Sequence, residues 1–176
     1  MLMRKINAGL SLLTAVLLLD HAIFKAVRMI SRGIIEKGGS FISWILFGLM
    51  LAHAVISIDL AVSAHLETET RKGKSYPKLN ISTMIQRITG MVLIVFAGLH
   101  VAGAAGYMTT PPIVHAIVPA VFFTIALMHV AVSTSKAFIT LGIGNAKFVK
   151  TVDLVIKVIC AATLISALTG FYLYKV

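Results

Sequence analysis

Residues 41–64 read FISWILFGLMLAHAVISIDLAVSA, with Asp59 the single charged side chain. A bilayer core about 30 Å thick is crossed by about 20 apolar residues in helical form. The stretch is long enough to cross and too apolar to lie on a water-exposed surface, so it predicts a transmembrane helix. Its one charge falls near its end, and His53 falls near its middle.

Four further stretches carry the same signal: residues 5–30, 84–107, 113–138 and 151–174. The segments between them hold turn or charge signals. These are Lys37-Gly38-Gly39-Ser40, residues 67–78 with Pro77, Thr109-Thr110-Pro111-Pro112, and Gly142-Ile143-Gly144-Asn145. The third connector is short enough to force helices three and four into a tight hairpin. The expected architecture is one all-α, polytopic domain over residues 1–176, with five transmembrane helices forming a bundle. The first stretch is not expected to be a cleaved signal, because it is long, lacks an Ala-x-Ala site, and carries Asp20 and His21 in its apolar run.

Composition agrees. The 176 residues are 59% hydrophobic and 12% charged, with mean hydropathy +0.97. Soluble domains run about 45–50% apolar and about 25% charged. A lone cysteine, Cys160, excludes a disulfide scaffold. The net charge of +10 does not point to nucleic acid, because such binders spread their cations over a polar surface that this chain lacks. Cations between apolar spans set orientation instead and meet anionic lipid or a partner. With the N-terminus inside, the inner segments hold Arg4, Lys5, Arg71, Lys72, Lys74, Lys78, Arg87, Lys136, Lys147 and Lys150. The outer ones hold Lys25, Arg28, Arg32, Lys37 and Lys175. The asymmetry predicts an N-terminus in the cytoplasm and a C-terminus outside.

Four of the six histidines fall inside spans, one in each of the first four: His21, His53, His100 and His129. An ionisable side chain at membrane depth faces the bundle interior for a reason. Depth sorts the four. His21 lies 16 residues past Lys5 and His100 lies 13 past Arg87, which at about 1.5 Å per residue sets both roughly 20–24 Å from the inner face. His53 lies 13 residues past Ser40 and His129 lies 17 past Pro112, on helices running the other way. Both sit roughly 20–25 Å from the outer face. The pairs are therefore His21 with His100 and His53 with His129. Two histidines at one level on facing helices can take the two axial positions of a haem iron. Ala97, Gly103 and Ala104 share a helical face with His100, and either leave room for a flat ligand or allow close helix packing. A different ligand set stays open, because His115 and His129 are 14 residues apart on one face of helix four.

Five helices, a histidine in each of the first four, and Gln86-Arg87-Ile88-Thr89-Gly90 opening helix three ten residues before His100 resemble one family over essentially the whole chain. It is the single-chain, two-haem membrane cytochrome b subunit of succinate dehydrogenase/fumarate reductase. The resemblance implies an outer haem b on His21 and His100 and an inner haem b on His53 and His129. It implies an iron–sulfur subunit on the cytoplasmic face, facing the basic connector 71–78, and a flavoprotein subunit beyond it. Electrons would pass between the flavoprotein and menaquinone in a bacterial or archaeal cytoplasmic membrane. With six acidic residues and no soluble domain, the chain itself cannot hold the dicarboxylate site.

Gln86, Arg87 and Lys136 are candidates for the inner haem's propionates, and Lys25 and Arg28 for the outer haem's. Glu36 is the resemblance's candidate for quinone proton exchange, with Asp20 second. Where some relatives carry a glutamate two residues before the fourth histidine, this chain has Leu127. Two other readings remain: a gamma-type cytochrome subunit of another quinone-linked oxidoreductase, and a cofactor-free, histidine-containing transporter.

Overall fold

A computed structural model describes residues 1–31, 40–70, 81–104 and 112–175. The chain is all-α, with five helices and no strand among the described residues: α1 (Leu2–Ile30), α2 (Ser40–Thr70), α3 (Ile81–Ala104), α4 (Pro112–Leu141) and α5 (Ala146–Lys175). All five are long and apolar enough to cross a membrane. The protein is a membrane protein by this measure, and its many exposed leucines, isoleucines and valines are what a lipid-facing surface requires.

Helix ends differ from the apolar stretches for reasons of backbone chemistry. α5 starts at Ala146 rather than at residue 151, because the 142–145 turn stops one helix and caps the next. Gly142, at φ +74°, ends α4. Its N–H donates to the Ile139 carbonyl at 3.1 Å, and the Ile143 N–H donates to the Phe138 carbonyl at 3.1 Å. This pair of bonds closes a helix on a left-handed residue. The Asn145 Oδ1 then accepts from the Phe148 N–H at 2.9 Å, capping α5. At its other end α2 runs on to Thr70, past the apolar stretch that ends at residue 64. Residues 65–70 hold no glycine or proline, and a helix leaving the bilayer needs no apolar side chains to continue. The turn between α3 and α4 lies outside the described residues.

Gly144, at φ +79°, is a second left-handed position, and a Cβ there would run into the Phe148 ring, which itself packs edge-on against Phe138 at 5.8 Å. Gly144→Ala combines the left-handed penalty with displacement of that ring, so it should destabilise the chain by about 2 kcal/mol. Thermal unfolding in detergent checks this, with Gly98→Ala as control, since a Cβ at Gly98 meets nothing within 4 Å. Equal melting of both variants would refute this account of the turn.

α1, α4 and α5 pack on one another, α2 leans on α1, α3 leans on α4, and α2 and α3 barely touch. The close contacts use alanines: Ala8, Ala22, Ala26, Ala126, Ala137 and Ala167 are all buried. Lipid supplies no hydrophobic force between helices, so small residues that let backbones approach supply dispersion instead. Buried hydroxyls are satisfied within their own helices, as where Thr14, Thr134 and Thr163 donate to carbonyls four residues back. Neither α1 and α3 nor α2 and α4 make direct helix–helix contact among the described residues. α2, α1, α4 and α3 thus follow one another around a ring, with α2 and α3 in the loosest contact, and the slot is the interior that these four helices face.

Candidate functional site

The four intramembrane histidines, all half-buried, come together in the slot in two tiers. In one, His53 of α2 and His129 of α4 lie within electrostatic reach of each other. In the other, His21 of α1 and His100 of α3 do so. Along α3 the tiers run from Thr89, beside His129, to His100. That is eleven residues, or about 16 Å of helix rise.

Side-chain partners orient the rings. The Thr89 Oγ1 lies 2.9 Å from His129 Nδ1, and a Cβ at Gly90 would sit 3.2 Å from His129 Cε1. The ring is therefore seated on the start of α3. On α1, His21 Nδ1 is 3.4 Å from the Ser43 Oγ. His100 stacks on Phe122 of α4, with ring centroids 5.0 Å apart and planes 18° apart. Beside His53, the Asn7 side-chain amide donates to the Ser57 Oγ at 3.0 Å and ties α1 to α2 one turn away. The His53 Nδ1 is itself buried without a hydrogen-bond partner. An imidazole that donates from Nδ1–H presents Nε2 as a free base, the form that a metal ion takes.

Cations stand at each tier. Lys136 donates to the Gln86 Oε1 at 3.0 Å and to the Thr83 Oγ1 at 3.2 Å, and Arg87 is within electrostatic reach. Gln86, Arg87 and Lys136 thus form one group at the end of the slot nearest the α1 N-terminus. Lys25 is within reach of both His21 and His100, and Arg28 is within reach of Lys25.

Other sequence candidates fall elsewhere. Asp20 is exposed on the outer face of α1, because consecutive helical residues point about 100° apart and its neighbour His21 takes the inward direction. Asp59 is likewise exposed, and Asp153 pairs with Lys157 at 2.6 Å along α5. Ala97 is buried in the core beside Leu93, Phe122 and Ala126, so it serves helix packing. Gly103 has open space where a Cβ would be. Glu36 and the connector 71–78 lie outside the described residues, as do the side chains of His65, His115 and Ala104. Sequence reasoning misses Thr89 and Gly90 as the seat of His129, and Ser43 and Phe122 as neighbours of the outer pair. A buried hydroxyl next to a glycine at membrane depth is the available signal. Compared with models of protein families, with curated proteins and with solved structures, the chain matches none, so its function is argued from the slot and its histidines.

Proposed function

We propose that the chain is the membrane-anchor and electron-transfer subunit of a succinate:quinone oxidoreductase, holding two b-type haems in the slot. The observation that carries the haem part is the two-tier pairing of four histidines from four helices whose backbones stay apart across the diagonal. A macrocycle between two imidazoles needs that separation. The Nδ1 contacts of His21 and His129 fit the same group.

His21 with His100 and His53 with His129 would hold the irons. Lys25 and Arg28 at one tier, and Arg87, Gln86 and Lys136 at the other, would hold propionates through charge-assisted hydrogen bonds. When bound, haem supplies one-electron redox chemistry that no side chain here provides. The protein's contribution is to fix the imidazoles, hold cations at the rim of each tier and exclude water with apolar helices.

The identity of the larger complex rests on the resemblance of the five-helix, four-histidine pattern and of Gln86-Arg87-Ile88-Thr89-Gly90. In this reading an iron–sulfur subunit and a flavoprotein subunit bind at the cytoplasmic end, near the α1 N-terminus, and menaquinone exchanges electrons near the outer tier. The transporter alternative needs carboxylates along an interior path. Asp20 and Asp59 are exposed and Asp153 is tied to Lys157, which weighs against it.

A reduced-minus-oxidised optical spectrum with haem quantified per chain should give two b-type haems. A colourless protein would overturn the reading. A gamma-type cytochrome from another complex would keep full haem content when His21 or His53 is replaced.

A further inference from the structure

Thr89 is buried within the membrane span of α3, and its hydroxyl has three neighbours. Its Oγ1 lies 2.7 Å from the Ile85 carbonyl oxygen, 3.2 Å from the Gln86 carbonyl oxygen and 2.9 Å from His129 Nδ1. A hydroxyl has one hydrogen and two lone pairs. The two carbonyls can only accept, and an oxygen–oxygen approach of 2.7 Å without a hydrogen between would be repulsive. The hydroxyl hydrogen is therefore committed to the backbone of α3. Toward His129 only a lone pair remains, so the contact is a bond donated by Nδ1–H to Oγ1, on a ring that the Gln86 backbone also approaches.

We propose that Thr89 is a positioning residue that locks His129 in its Nδ1–H tautomer and so turns a basic Nε2 into the slot. Gly90 completes the device by leaving the ring space at Cε1. The consequence for the ligand rests on the haem reading above. An axial imidazole that donates from Nδ1 is the more electron-rich ligand and favours the oxidised iron. Thr89 thereby holds the inner centre at a lower potential than His129 alone would give. The lock itself does not depend on a bound group. It follows from the hydrogen count at Oγ1.

The test uses the full chain and Thr89→Val, which keeps the shape and removes the acceptor. Redox titration should find both haems present, with the haem that His129 replacement removes shifted to higher potential. The expected shift is about tenfold in the oxidised-to-reduced ratio, or about 59 mV for one electron. The second haem should not move, and Thr89→Ser should restore the original value. Unchanged midpoints in Thr89→Val, or haem loss that Thr89→Ser fails to repair, would overturn the proposal and leave the haem reading standing. If the wild-type chain bound no haem, the haem reading would fail alone. Histidine ¹⁵N spectra of that haem-free chain would still decide the tautomer. A protonated Nδ1 at His129, lost in Thr89→Val, supports the lock, and a protonated Nε2 in the wild type overturns it.

Discussion

If the chain holds two haems as proposed, replacing His129 with leucine should lower the haem content from two per chain to one and leave the absorption and midpoint of the remaining haem in place. His53→Leu gives the same remaining spectrum, whereas His21→Leu and His100→Leu each give the complementary one. The expectation follows from the tiers. His53 and His129 are mutual neighbours, as are His21 and His100, and about 16 Å of helix separates the levels. Removing an axial ligand is a larger change than removing its hydrogen-bond partner, which already costs about 10–100-fold in metal affinity, so the affected site should empty. Leucine suits lipid and core alike, and the contacts among α1, α4 and α5 that hold the bundle do not depend on either ligand pair being complete. Monodispersity on gel filtration separates site loss from unfolding. Four folded variants that each lost both haems would sink the tiered arrangement. His115→Leu removing one haem while His129→Leu removes the other would place a ligand to each haem on α4 and overturn the pairing.

The depth of each histidine is legible in the sequence because helical rise is a fixed quantity. Counting from the charged or polar residue at each span's end is enough to sort His21 with His100 and His53 with His129. Direction around the helix is not legible. Asp20 and His21 share a depth and point about 100° apart, and only the packing of α1 against α2 and α4 decides which of them faces inward. The same holds for Ala97. It shares a face with His100, yet it is spent on the α3–α4 contact, while Gly103 keeps its space open. Helix ends escape the sequence pattern where hydropathy and hydrogen bonding disagree. Asn145 starts α5 in a polar stretch, and α2 continues past the apolar run to Thr70. The seat of His129 is hidden too, because it joins residues 40 apart in sequence through the rotation of α3 against α4.

That rotation makes Gly90→Val the most selective steric probe of the site. A Cβ at Gly90 stands 3.7 Å from His129 Nδ1, an ordinary contact, and 3.2 Å from its Cε1, which is tighter than ordinary. Alanine would need a shift of a few tenths of an ångström. Valine adds two methyl groups to a backbone that cannot retreat, because α3 is packed on α4 along this face. The imidazole cannot swing away cheaply while Thr89 holds Nδ1 at 2.9 Å, so relief comes by breaking that bond and turning Nε2 off its axis. Ligand geometry is sensitive on the scale of half an ångström, and the inner haem should fall to a small fraction of its wild-type occupancy. The outer haem should stay full, since His21 and His100 lie at the other tier. Gly98→Val is the matched control: the same β-branched residue goes into the same helix, at a position where a Cβ meets nothing within 4 Å. It shares the propensity change of Gly90→Val and lacks the collision. Haem quantification on both variants tells these effects apart. Equal loss in the two would mean that α3 tolerates no branching anywhere, and full retention in Gly90→Val would mean that the His129 ring does not rest on Gly90.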